Sequence, residues 1–183
     1  MTTGEFARRL ERYLAGKPEV RCEVEAGTDL WSYTCVGLEN WEPTFLPAWE
    51  GRWNLYGEPT KYFGSSPEIC LAELAGCGED ELTYCVTEHW WTTERIEALD
   101  VGRLPSELVV ALFEKGGGQA EKWEQSHYCL RRLRDYLGTR EPLALKAPSA
   151  FGAALTISGY TLAANPFKQG ILLVEKWEMK SVE

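Results

Sequence analysis

An arginine, a tyrosine and a glutamate stand ten and then eleven residues apart, at Arg52, Tyr62 and Glu73. They lie in one segment running from Gly51-Arg52-Trp53-Asn54 through Lys61-Tyr62-Phe63-Gly64 to Leu71-Ala72-Glu73-Leu74. The segment reads as strand, turn, strand and helix, with irregular extended chain around the Gly57-Glu58-Pro59 turn. An arginine is always cationic and matches phosphate oxygens. A tyrosine stacks on flat rings and can donate a hydrogen bond. A carboxylate stabilises positive charge growing on a sugar carbon. The set suits a nucleotide whose glycosidic bond is to be broken.

The helix that carries Glu73 announces its own start. Ser65-Ser66-Pro67-Glu68 places Glu68 three residues after Ser65, as in a capping box, with proline in the first turn. The spacing predicts a helix to about Ala75, ending near Gly76 or Gly78. On it Glu73 shares a face with Ile69, Cys70 and Cys77. A carboxylate on an apolar face must be paired or must serve a site, because burying an unpaired charge is costly.

The rest of the chain bounds the class of protein. Its 183 residues favour one domain with a sizeable core, and 44% hydrophobic with 26% charged residues is an ordinary globular composition. No apolar run approaches the roughly 18 residues that would span a bilayer. The first residues lack a basic-then-apolar signal pattern, so a cytoplasmic protein is the expectation. A net charge of −9 argues against a protein built to hold a phosphate backbone, though not against one or two local arginines. Cys22, Cys35, Cys70, Cys77, Cys85 and Cys129 form no C-x-x-C pair and are expected as free thiols. His89 and His127 have no partner at ligand spacing, so no metal site is expected.

Periodicity supplies the remaining elements. Phe6, Leu10, Tyr13 and Leu14 share a helical face within an N-terminal helical segment, 1–18, with Arg8, Arg9 and Arg12 outside it. Strands are expected within 20–36, over 81–87, 143–147 and 161–164, and from Ile171 to Glu178; helices over 105–115 and 120–137. Trp123, Leu130, Leu133 and Leu137 should face inward on the last helix. Trp41, Phe45 and Trp49 could line a pocket rim or anchor a loop on the core. Strands and helices do not alternate strictly, which favours an α+β fold over a doubly wound sheet. With no G-x-G-x-x-G, a Rossmann dinucleotide site is not indicated.

Four pieces recur in order: Gly51-Arg52-Trp53-Asn54; Tyr62; Leu71-Ala72-Glu73; and Ala147-Pro148-Ser149-Ala150 followed by Ala164-Asn165-Pro166. In this order and spacing the chain resembles the RES domain family, named for its Arg, Glu and Ser, over roughly residues 28–176. The resemblance implies an ADP-ribosyltransferase-like α+β fold, with small mixed or antiparallel sheets flanked by helices around a central NAD cleft, in a single domain spanning 1–183. It implies a toxin of a toxin–antitoxin system that consumes NAD as a substrate, breaking the nicotinamide–ribose bond by hydrolysis or phosphorolysis. The alternative is a mono-ADP-ribosyltransferase acting on a protein. It implies a helix-turn-helix antitoxin covering the cleft, with no cofactor. Assembly as a homodimer stays open. A non-catalytic aromatic-rich binding module is the reading from a different class.

Carried onto this chain, the resemblance implies Arg52, Tyr62, Glu73 and Ser149 as catalytic residues, with Trp53 and Asn165 beside Arg52 and Tyr62 in substrate binding. Each has a bland counterpart: an Arg52–Glu73 ion pair, a core tyrosine, a strand-end cap at Ser149, a turn residue at Asn165. The chain departs from the family pattern at Glu50, where glycine is common, at Trp31-Ser32-Tyr33, which lacks a frequent arginine, and at Lys61, where an aliphatic residue is common.

Overall fold

The computed structural model describes residues 1–35, 51–76, 84–113, 123–139, 143–149 and 158–180. The expectations for Trp41, Phe45 and Trp49 lie outside them. The N-terminal helix α1 (Thr3–Ala15) starts where Thr2 accepts a hydrogen bond from the Glu5 amide, and it buries Phe6, Leu10 and Leu14. Each such side chain contributes roughly 1.5–3 kcal/mol through apolar burial. Strands β1 (Arg21–Val24) and β2 (Asp29–Cys35) follow, and then β3 (Lys61–Gly64).

Helix α2 (Pro67–Gly76) leads to strands β4 (Tyr84–Thr92) and β5 (Ile96–Asp100), a 3-10 turn, and helices α3 (Ser106–Phe113) and α4 (Glu124–Leu137). Strands β6 (Ala144–Pro148), β7 (Tyr160–Ala164) and β8 (Ile171–Lys180) close the chain. Two details differ from expectation. Ser66, not Ser65, caps α2 by accepting from the Ile69 amide, while Ser65 Oγ accepts from the Tyr160 amide. Strand β5, for which the sequence raised no expectation, lies between β1 and β6.

The strands form one eight-stranded mixed sheet in the order β1-β5-β6-β7-β3-β2-β4-β8, with β5 and β6 the parallel neighbours. The two small sheets expected from the resemblance are therefore one ladder. That ladder is nearly divided: β2 and β3 meet through the single pair Trp31–Gly64, whereas β2 pairs with β4 along its whole length. A five-stranded wing and a three-stranded wing join at that point. Helix α2 braces the junction. The Cys70 thiol donates to the Trp31 carbonyl oxygen at 3.0 Å. Burial, with the negative charge of Glu73 and Glu68 added, pushes that thiol up to about 12, so it stays protonated and able to donate. Gly64 makes the approach possible, since a Cβ there would stand 2.6 Å from Cys70 Sγ.

Both faces of the central strands are buried, in alternation. Leu99, Leu145, Ala147 and Ala163 face a helical cover that supplies Leu108, Leu112, Leu130 and Leu133. On the other face Ile96, Ala98, Ala144 and Leu162 meet Leu30, Trp90 and Ile171 from the three-stranded wing, which folds across. Lys61 belongs to this second interior. Its Nζ lies 2.6 Å from Glu88 Oε2, both side chains are almost wholly enclosed, and Trp90 Nε1 donates to the same carboxylate oxygen. Lys61 is thus answered by a buried glutamate on the opposite wing. Among the described residues no helix is long and apolar enough to cross a membrane. Of the cysteines, Cys70 and Cys129 are buried, Cys22 is partly so, and all three are free thiols.

Candidate functional site

The arginine segment folds into a tight turn before β3. Gly51 pairs with Asn54 through its amide, 3.3 Å from the Asn54 carbonyl oxygen, so that Arg52 and Trp53 occupy the tip. Trp53 turns inward, only 5% exposed, with its ring edge-on to Phe113 at the end of α3. The Arg52 guanidinium carbon stands 5.1 Å from the centre of the same Phe113 ring. Phe113 therefore seats both residues, one through cation–π attraction and one through apolar packing.

Tyr62 locks this turn from below. Its hydroxyl donates to Asn54 Oδ1 at 2.7 Å and accepts from the Trp53 amide at 2.9 Å. Enclosure of the hydroxyl raises the phenol above its ordinary range, against the opposing pull of the Trp53 amide and the Arg52 charge. The residue as a whole is 37% exposed even though the hydroxyl is committed inward. Gly51 leaves room for that hydroxyl, because a Cβ there would stand 2.7 Å from it and 2.6 Å from Asn54 Oδ1.

Ser149 and Glu73 form the second group. Ser149, at the end of β6, is buried, and its Oγ donates to Glu73 Oε1 at 2.5 Å. The two residues are 76 positions apart in the chain. Glu73 is half-buried, and its partner among the described residues is Ser149, not Arg52. The ion pair considered from the sequence is therefore not formed.

Strand register relates the two groups. Residues directly opposite on antiparallel strands share a face. Tyr62, Ala163 and Leu145 form one row, and Gly64, Thr161 and Ala147 the next on the same face. The ladder continues one step further, where the Ser149 amide donates to the Gly159 carbonyl. The Tyr62 and Ser149 rows are thus separated by one row of small side chains and by ~13 Å along the strands. Asn165 lies two residues beyond Ala163, the strand partner of Tyr62. It follows the opposite end of β7, where its Oδ1 accepts from the Phe167 amide and its own amide donates to Gln169 Oε1, closing a turn.

Several residues around the turn had no role in the sequence reading. Asn54, Phe113, Glu58, His127 and Arg134 all hold the arginine segment. Arg134 grips Glu58 with two nitrogens, at 2.5 and 3.0 Å, and Glu58 Oε2 also accepts from the Leu55 amide. Burial would raise the Glu58 carboxyl, but these hydrogen bonds outweigh it and hold the group below its ordinary range. His127 Nε2 bonds the Gly51 carbonyl oxygen at 2.7 Å. A usable signal existed for these two α4 residues: His127 and Arg134 are seven apart, flanking Leu130 on the helix face read as inward. Among the described residues no group of three or more His, Cys, Asp or Glu side chains is placed to hold a metal ion.

No family model matches the chain, and no curated protein matches it. Among solved structures, it is similar to a chain of the M. tuberculosis MbcT–MbcA toxin–antitoxin complex, with a TM-score of 0.55 and 14% identity. The match covers 96% of this chain and 92% of that one. At such identity the likeness is one of fold: a mixed α/β architecture shared, over nearly its whole length, with a component of a toxin–antitoxin complex.

Proposed function

We propose that this protein is an NAD-consuming enzyme, the toxin of a toxin–antitoxin pair, that cleaves the bond between nicotinamide and ribose. The observation that carries the reading is the Ser149–Glu73 contact at 2.5 Å, on the same sheet face as the Arg52–Tyr62 turn. Four residues of the sequence motif thereby fall at two places on one sheet face. The toxin–antitoxin context of the fold's neighbour supports the same reading.

Nicotinamide leaves as a neutral molecule from a cationic glycoside, so the ribose carbon gains oxocarbenium character and protonation of the leaving group is not required. Preorganised negative charge beside that carbon lowers the barrier most. Glu73 supplies it. Ser149 holds one carboxylate oxygen, leaving the other to meet a ribose hydroxyl or to direct an attacking group. Arg52, held over Phe113, answers the pyrophosphate. Tyr62 offers its ring face for stacking, since its hydroxyl is already engaged within the turn. The partner in this reading is a helix-turn-helix antitoxin that covers the NAD cleft.

The test is release of nicotinamide from NAD by the purified protein, with and without phosphate. Turnover is expected, and Glu73→Gln and Arg52→Ala should each abolish it. No turnover under either condition would overturn the reading. Labelled NAD added to cell lysate separates the acceptors, since a modified protein band would assign the activity to ADP-ribose transfer.

A further inference from the structure

We infer that His127 and Arg134 of α4 are positioning residues that set Arg52 for its ligand; the inference rests on the NAD-consuming reading of the site. The segment 51–60 has no regular strand of its own, and its tip carries the guanidinium. Its conformation must therefore come from what ties it down. Tyr62 ties the turn to β3, and Phe113 of α3 seats its tip. Helix α4 ties down its two ends.

The two ties fall at the two ends of the segment. His127 holds the Gly51 carbonyl, one residue before Arg52, at 2.7 Å. Arg134 holds Glu58 through two nitrogens, and Glu58 in turn holds the Leu55 amide. His127 and Arg134 are seven residues apart, two turns along one helix face, and both are more than nine-tenths buried. Buried polar side chains of this kind are stable only when hydrogen-bonded, and here the bonds reach out of the helix to the segment. Between them Leu130 and Leu133 anchor the same helix in the main core. Placement of the guanidinium is therefore referred to the core rather than to the segment.

The bidentate grip matters for direction as well as strength, because the planar guanidinium of Arg134 fixes the plane of the Glu58 carboxylate. Neither residue belongs to the Arg52, Tyr62, Glu73 and Ser149 set. Their effect passes through the backbone of Gly51 and Leu55 to Arg52. If Arg52 binds pyrophosphate equally in ground and transition states, loosening its mount weakens binding and leaves the chemical step largely intact.

The experiment compares His127→Leu, His127→Gln and Arg134→Met with the wild type. His127→Leu and Arg134→Met should raise KM for NAD about tenfold while kcat changes less than threefold. His127→Gln retains an amide donor of similar reach and should stay within about threefold of wild-type KM. Hydrogen exchange at residues 51–60 should quicken in the Leu and Met variants and stay near wild type in the Gln variant. Should Arg134→Met not fold, Glu58→Gln loosens the same tie from the other side and should show the same two changes, smaller in size. Unchanged KM and unchanged exchange overturn the inference. Faster exchange with unchanged KM also overturns it, since the ties would then be structural only. If wild-type protein leaves NAD intact, the functional reading fails on that result alone, and exchange across 51–60 decides whether α4 mounts the segment.

Discussion

The arginine end and the glutamate end of the candidate site are built in opposite ways. Arg52 sits on a turn tied by Tyr62, Asn54, Phe113, His127 and, through Glu58, Arg134. Glu73 sits on a helix already held by its own backbone, and one side-chain bond from Ser149 orients it. A guanidinium on irregular chain needs many partners to be placed, because nothing in the local backbone places it. A carboxylate on a helix needs one, because the helix supplies the rest. Substitutions should therefore part company: at the glutamate end they strike chemistry and spare stability, while at the arginine end they strike binding and stability.

The sharpest break of this contrast is Glu73→Gln. Loss of the charge should lower nicotinamide release on the order of 10³-fold, in line with the removal of a preorganised electrostatic group. The amide can still accept from Ser149, so the urea unfolding midpoint should scarcely move. Next comes Lys61→Met, which serves as a control away from both ends. It leaves Glu88 buried without its cation and should cost roughly 3–5 kcal/mol in urea unfolding. Adding Glu88→Leu should restore most of that loss. If the single substitution proves neutral, the pair does not hold the two wings together.

A smaller effect is expected at Gly51. Alanine there forces its Cβ against the Tyr62 hydroxyl and Asn54 Oδ1. A cost of about 1–3 kcal/mol should follow, as for other overpacked sites, with a rise in KM. The smallest effect is the acid response of Glu58. Its carboxyl is lower in the folded protein than its ordinary value of 4.5, so folding favours the charged form. The stability this provides is fully present above that value and is lost as the pH falls through the folded-state pKa. Glu58→Gln should remove that part of the pH dependence in unfolding measured between pH 3 and 6, and leave the neutral-pH slope unaltered.

What the sequence disclosed was local. Helix α1 was legible because Phe6, Leu10 and Leu14 repeat at helical spacing ahead of Gly16 and Pro18, and its observed bounds, Thr3–Ala15, follow that pattern. Helix α4, likewise, carries Leu130 and Leu133 inward where the spacing put them. Ser149 and Glu73 could be named from motif order, but their contact spans 76 positions and depends on α2 seating against Gly64. Strand β5 passed unread because Ile96, Ala98 and Leu99 are few and are buried on two different faces, so no clean alternation appears. The mount on α4 was hidden for the same kind of reason. His127 and Arg134 look like two polar residues on a helix until the 51–60 segment folds back over them.

The rung at Trp31–Gly64 has a mechanical meaning. Two wings whose ladders meet at a single backbone pair are held at a fixed opening by the Cys70 thiol bond, the Lys61–Glu88 clasp and the apolar core that Leu30, Trp90 and Ile171 share with Ala98 and Leu162. Because α2 rests on that same junction, the carboxylate of Glu73 takes its position from the meeting of the two wings, while the guanidinium of Arg52 takes its own from the helical core.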